Sequence, residues 1–315
     1  MAGKLMHAVQ YERYGGGVAG LKHVQIPIPS PKRDEVLIKL EAVSLNPADW
    51  KIQKGLLRPF MPRKFPFIPA TDVAGEVVGA GPGVHKFKAG DKVVAFFNPF
   101  TGGGLAEYAV VSENRTVARP EEVQPHQAAG LPIAGLTALM AITQSAGLKL
   151  DGPDPNDPVQ LAKLANAHVP ATCGSRNIDL VRSLGADEVL DYTTAEGATL
   201  ASPSGRKYDV VIHCANGIAF SRLEPRLSEN GRVICVNADA RTMWDYAVKT
   251  ITLSKKKLVP LVMIPKAENL ETMVNLMKEG KIKTVIDSRH ELSKAEEGWA
   301  KCMDGHATGK IIVEP

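Results

Sequence analysis

The spacing of apolar and polar positions changes rhythm once along the chain. From the start to about Pro120, short β-branched runs alternate with tight turns. Met6–Gln10, Glu35–Leu40, Val93–Phe97 and Leu105–Val111 read as strands. Gly79–Gly83, Gly90-Asp91 and Gly102–Gly104 are the turn clusters between such runs, and Pro27, Pro29 and Pro31 punctuate one connection. Together they predict an all-β, barrel-like domain.

From Pro125 the period lengthens. Ala128–Thr143 is rich in alanine and leucine and predicts one helix. Strands and helices then alternate. His168-Val169 is a strand remnant, Ile178, Val181 and Leu184 form a helical stripe ending at Gly185, and Asp187–Asp191, Tyr208–Cys214 and Gly231–Val236 are strands. Alternation of this kind predicts a parallel, doubly wound sheet. Leu270, Met273, Val274 and Met277 share one helix face that stops at Gly280. Ser293 and Glu296 have capping-box spacing for a last helix, and Gly309–Val313 is a closing strand. The pattern thus divides into a β part up to about Pro120 and an α/β part from Pro125.

Composition narrows the class. The 315 residues are 44% apolar and 23% charged, as in an ordinary soluble globular protein. The net charge of +4 allows attraction to anionic lipid or a phosphorylated cofactor but is no nucleic-acid footprint. Lys255, Lys256 and Lys257 read as a solvated face. No apolar run approaches a membrane span, and the N-terminal residues have neither a signal-peptide core nor transit-peptide composition. Cys173, Cys214, Cys235 and Cys302 form no CxxC pair and read as reduced, mostly buried thiols.

Five stretches carry a resemblance that runs almost end to end: Phe65–Val93, Ser44–Lys51, Leu131–Ala138, Lys207–Gly217 and His306–Val313. Their order resembles the zinc-free quinone and enone reductase branch of the medium-chain dehydrogenase/reductases. The resemblance implies an α/β protein in which a GroES-like β domain, built from both chain ends over 1–124 and 286–315, clasps a Rossmann domain over 125–285 that is incomplete near 151–170. It implies NADPH-dependent reduction of the carbon–carbon double bond of α,β-unsaturated ketones, γ-ketols of oxidised fatty acids among them. It also implies peripheral attachment to the chloroplast envelope; a plain cytoplasmic protein is the alternative. A homodimer stays open.

No metal site is expected. Zinc-dependent members place a cysteine near the position of Asn46 and carry a four-cysteine lobe, whereas tetrahedral zinc needs clustered ligands and His85, His126 and His168 are scattered. Conjugate hydride addition develops charge on an enolate oxygen, which needs a hydrogen-bond donor. Lys51 is the favoured donor and Asn46 the second catalytic candidate; a solvated lysine is the alternative for Lys51. Relatives often have tyrosine where this chain has Trp50, and indole cannot shuttle a proton. For the cofactor, Ser175, Arg176 and Asn177 follow the second Rossmann strand, where an acidic residue would bind an NAD ribose and a forked arginine suits a 2′-phosphate. Ser175 can equally cap the helix. Tyr192 resembles the family residue near the adenosine phosphate. Thr137, Cys214, Asn216 and Gly217 complete the expected binding edge together with Lys51, and Leu258 and Val259 match a family loop over the nicotinamide, with a buried connection as the alternative.

One element is missing from this resemblance. Where the family has its first Rossmann strand and glycine-rich turn, the text is Asp151–Pro158, with three prolines and three aspartates. No strand fits there, and no G-x-G-x-x-G occurs from Pro125 to Pro315, where the α/β pattern lies. Two function classes follow: an NADPH-dependent enone or quinone reductase, or a cofactor-impaired relative with a binding or membrane-associated role or no activity.

Overall fold

The computed structural model describes residues 3–58, 62, 64–98, 100–150, 159–215 and 217–315. The octapeptide Asp151–Pro158 and the candidate residue Asn216 lie outside the described residues. Two compact units divide the chain. One holds Met1–Leu136, Pro265–Glu279 and Lys283–Pro315; the other holds Thr137–Ile264 and Gly280–Ile282.

The amino-terminal part supplies β1 (Leu5–Gln10), β2 (Lys22–Pro27), β3 (Glu35–Leu45), α1 (Pro47–Lys54), β4 (Asp72–Ala80), β5 (Lys92–Phe96), β6 (Tyr108–Ser112), β7 (Thr116–Ala118), α2 (Pro125–Ala129) and α3 (Pro132–Met140). The middle supplies α4 (Val159–Leu164), β8 (Pro170–Cys173), α5 (Ile178–Ser183), β9 (Glu188–Asp191), β10 (Tyr208–His213), α6 (Phe220–Leu223), β11 (Leu227–Cys235), α7 (Ala240–Ile251) and β12 (Lys257–Pro260). The carboxyl-terminal part adds α8 (Ala267–Lys278), β13 (Ile286–Glu291), α9 (Ala295–Asp304) and β14 (Lys310–Glu314).

In the first unit β3 organises the sheet. One edge pairs antiparallel with β4 along its length. The other edge is shared: Glu35–Lys39 pairs with β6, and Val43–Leu45 pairs with β14. The last strand of the chain is thus built into a sheet of amino-terminal strands. The strands β3 and β4 approach closely at Gly75, where a Cβ would stand 2.2 Å from the Lys39 carbonyl oxygen. Val36, Ile38, Val73, Val93 and Ile311 fill the core beneath, closed by Trp299 of α9, which is 1% exposed. Burying each such side chain stabilises by roughly 1.5–3 kcal/mol. The Trp299 indole donates to Gln53 Oε1 at 3.2 Å, so its one polar atom is satisfied.

Several local expectations change. Ala128–Thr143 is not one helix. It breaks at Gly130-Leu131, because Pro132 lacks the N–H that would continue the ladder, and a π-helical turn over Ala141–Ser145 follows α3. The first compact unit runs through Leu136, and α2 packs on β3, β4 and β5. The Ser293–Glu296 capping box does not form. Ser293 Oγ donates to Glu291 Oε2 at 3.1 Å, and Glu296 instead bonds His23 Nε2 at 3.0 Å. The strand at Leu105–Val111 starts only at Tyr108, and Cys214 is exposed, since it lies just past the end of β10.

The second unit carries parallel strands in two separate sheets. Pairing joins β8 to β9, and β10 to β11 to β12, and no pairing among the described residues joins the two groups. The strand at His168-Val169 begins at Pro170 instead, a first position that needs no ladder donor. Leu223, Leu227, Val233, Cys235 and Leu258 form the core around the three-stranded group. Sequence pattern had not shown α7, whose twelve residues include none that are buried.

A divided sheet should open more easily than a continuous one. In native-state hydrogen exchange, the amides of Val73 and Ala74 in β4 should exchange among the last, and those of Ala171 and Thr172 in β8 among the first. Equal protection of β8 and β4 would contradict the division.

Candidate functional site

In the first unit the candidates gather at the start of α1. Asn46 is its N-cap, and Pro47 supplies the favoured first helical residue. A capping box ties the helix down: the Asn46 backbone N–H donates to Asp49 Oδ2 at 2.8 Å. The Asn46 side chain is spent on charged neighbours. Its Nδ2 donates to Asp72 Oδ2 at 2.9 Å, and its Oδ1 accepts from Lys310 Nζ at 2.6 Å. Asp72 also accepts from the Ile133 backbone N–H at 3.0 Å and from Thr71 Oγ1 at 3.1 Å. Asn46, Asp49 and Asp72 are buried.

Two buried carboxyls and one ammonium set the electrostatics. Burial pushes the Asp49 carboxyl up to about 7, against the bond from Asn46 and the nearby Lys310, with Asp72 adding to the rise. Burial also raises Asp72 and lowers Lys310 from their ordinary values, each opposing the other's shift. Lys51 is half-buried on α1, with its Nζ 6.0 Å from the Trp50 ring centroid. Asp49, Asp72 and Lys310 escaped sequence reasoning because they are distant in the chain. Asp72 lies within the opening Phe65–Val93 stretch, which was its only signal.

In the second unit the candidates sit at the carboxyl ends of the parallel strands. Ser175, Arg176 and Asn177 form a 3₁₀ turn directly after β8, with Ser175 and Arg176 exposed. Ser175 does not cap a helix; its Oγ lies 3.1 Å from Thr193 Oγ1. Asp191 accepts from the Thr193 N–H at 2.9 Å and Oγ1 at 2.6 Å, and these bonds hold its carboxyl below the usual range. Tyr192 is exposed beside β9, and its hydroxyl covers Gly174, where a Cβ would stand 3.2 Å away. Thr137 lies on α3 and Leu258 and Val259 on β12, with Leu258 buried.

A cavity of about 180 Å³ opens at the ends of β10 and β11. His213, Gly217, Asn237, Asp239, Thr242 and Asp245 are among its lining. Gly217 has φ 77°, a turn that a side chain would strain. Asn237 Nδ2 donates to the Cys214 carbonyl at 2.8 Å, and Asp239 caps α7 by accepting from the Thr242 N–H at 2.8 Å. Burial lowers His213 and raises Cys235. Of the expected residues, Gly217 and Leu258 line this cavity. Asn237 and Asp239 were missed, although both follow a predicted strand.

Against a dinucleotide, the described residues fit the two ends: an exposed arginine and tyrosine after β8 and β9, and a polar cavity after β10 and β11. The middle does not fit, since the sequence holds no glycine-rich turn to bring backbone amides onto a pyrophosphate. Among the described residues no three His, Cys, Asp or Glu side chains cluster as metal ligands do.

Comparison with known proteins identifies the family. The alcohol dehydrogenase GroES-like domain matches residues 32–121 and the zinc-binding dehydrogenase domain matches residues 184–313. The chain is 68% identical to the chloroplast envelope quinone oxidoreductase homolog of Arabidopsis thaliana, with 100% of both chains covered. That alignment has 329 positions against 315 residues here, so at least fourteen positions of the relative have no counterpart. An NADPH-dependent alkenal/one oxidoreductase, chloroplastic, of the same plant is 33% identical over 99% of this chain and 80% of its own. Among solved structures, the quinone oxidoreductase from Coxiella burnetii superposes with a TM-score of 0.86 at 27% identity, covering 99% of this chain and 100% of that one.

The raised Asp49 fixes a pH dependence. Its folded value of about 7 lies above the ordinary 3.8, so the folded state binds the extra proton between these values. Stability therefore falls as pH rises from about 4 to 7 and stays reduced above, by up to about 4 kcal/mol from this group alone. Asp49→Asn keeps the cap acceptor and should flatten that part of the melting temperature against pH. An unchanged slope in the variant would place the titration elsewhere.

Proposed function

The chain belongs to the medium-chain dehydrogenase/reductases, and from that premise we propose that it is an oxidoreductase that uses NADPH to reduce the carbon–carbon double bond of α,β-unsaturated ketones or quinones. Nicotinamide cofactors are the family's hydride source. The observation that carries the choice of NADPH is the exposed Ser175-Arg176 pair at the carboxyl end of β8, where the turn Gly174–Asn177 holds no carboxylate of its own to bind an unphosphorylated ribose. The relative named as an NADPH-dependent alkenal/one oxidoreductase supports the same reading. Bound NADPH would supply hydride to the substrate's β-carbon. Lys51, on α1, is the proposed hydrogen-bond donor to the enolate oxygen, and Asn46 is its positioning residue, since it anchors the start of α1. Ser175, Arg176, Asn177 and Tyr192 would hold the adenosine phosphate. Thr137, Cys214, Asn216, Gly217, Leu258 and Val259 would lie along the rest of the cofactor, although the structure leaves Asn216 outside the described residues.

A chloroplast location follows from the name of the 68% identical relative, and we place the protein at the envelope surface, bound peripherally. The division into a catalytic β domain and a dinucleotide-binding domain belongs to the same proposal. A second reading has its own observations. The two unjoined strand groups and the fourteen unmatched positions favour a chain whose cofactor cradle is interrupted and whose NADPH affinity is weak.

The cofactor choice is tested by the ratio of kcat/KM for NADPH and NADH with a short-chain enone. The parent should prefer NADPH, and Arg176→Ala should cut the ratio about 10- to 100-fold, the loss of roughly 1.5–3 kcal/mol in charge-assisted hydrogen bonding. A ratio that survives the substitution would remove Arg176 from the site.

A further inference from the structure

Helix α7 is turned inside out. Met243, Trp244, Ala247, Val248 and Ile251 recur at three- and four-residue spacing, which puts them on one face. A surface helix ordinarily buries that face. Here Trp244 is 70% exposed and Ile251 81%, while the opposite, polar face is the half-buried one. Thr242 and Asp245 from that polar face line the cavity, and Lys249 pairs with Glu224 at 2.5 Å. Leu253, just past the helix, is 88% exposed, and Val262 and Ile264 beyond β12 are exposed as well. No described residue covers it.

The same stretch concentrates the positive charge. Ala240–Lys266 holds six basic residues against Asp245 alone, a net +5 in a chain whose total is +4. Lys249 and Lys255 pair with Glu224 and Glu229. Lys256 donates to the Glu224 backbone carbonyl at 2.9 Å, so no carboxylate neutralises it there. Counting both glutamates, a net +3 remains along this stretch. A second copy docked by two-fold symmetry would set like charges against each other. An outward apolar helix with tryptophan and a surrounding excess of lysine has the chemistry of an interfacial membrane helix. Among the described residues no helix is long and apolar enough to cross a membrane, so this face would lie on the surface.

We propose that the outer face of α7, with Leu253, Val262 and Ile264, seats the protein on an anionic lipid surface. This deepens the peripheral-membrane reading above and rests on it. Because the inner face of the same helix walls the cavity, the seat holds that wall against the bilayer, the side from which lipid-derived enones would arrive.

The test is co-sedimentation with phosphatidylcholine vesicles, with and without phosphatidylglycerol, using the parent chain and the triple variant Trp244→Ser, Ile251→Ser, Leu253→Ser. The parent should bind the anionic vesicles, release in high salt and show a blue-shifted tryptophan emission when bound. The variant should bind at least about tenfold more weakly and keep its melting temperature, because these side chains are exposed on their own chain. Vesicle binding equal in parent and variant would leave peripheral attachment standing and overturn this seat. Absence of parental binding would overturn both. A parent dimer that the variant turns to monomer would assign the face to a second copy.

Discussion

A β-sheet depends on every inner strand having a neighbour on both sides, because backbone pairing is what satisfies its buried N–H and C=O groups. In the first unit that constraint is met without a gap: β3 holds β4 on one edge and shares the other between β6 and β14. Among the described residues of the second unit it is met only within a pair and a trio of strands. We propose that the strand which the family pattern places between β8 and β10 is the one whose text the sequence does not hold. Its loss bears on both stability and chemistry, since the turn that leaves this strand is also what brings backbone amides to a pyrophosphate.

The two units therefore stand differently toward function. The first has a packed core and a buried polar cluster in which Asn46 bonds both Asp72 and Lys310. A buried ion cluster of this kind is held by geometry and hydrogen bonds, and removing one partner exposes the others to the full cost of burial. It fixes the start of α1, and with it the position of Lys51. In the second unit Ser175, Arg176 and Tyr192 follow β8 and β9, the cavity follows β10 and β11, and the sequence between α3 and β8 holds no glycine-rich turn.

Much of this was legible in the order of residues. The alternation around Val73–Val78, the parallel strands Tyr208–His213 and Gly231–Cys235, and the α8 face of Leu270, Met273, Val274 and Met277 follow from local period and turn chemistry, and the structure contains each. What was not legible depends on partners far apart in sequence. Asp49, Asp72 and Lys310 look like ordinary surface charges until β4, α1 and β14 bring them together. The Ser293–Glu296 spacing promised a cap, but Glu296 is bonded to His23 instead. Helix α7 was missed because its apolar residues alternate with charges in a stretch without a breaker, and its exposure reverses the usual rule.

The account rests on the interrupted cradle, and one titration addresses it directly. NADPH binding is measured by calorimetry for the chain as it stands and for a version with a β-strand and a glycine-rich turn inserted at Asp151–Pro158. Two or three charge-assisted hydrogen bonds, at roughly 1.5–3 kcal/mol each, correspond to a difference of at least about a hundredfold. The account predicts that the insertion tightens NADPH binding by that factor or more and raises the melting temperature with it. Micromolar binding by the chain as it stands, unimproved by the insertion, would contradict it.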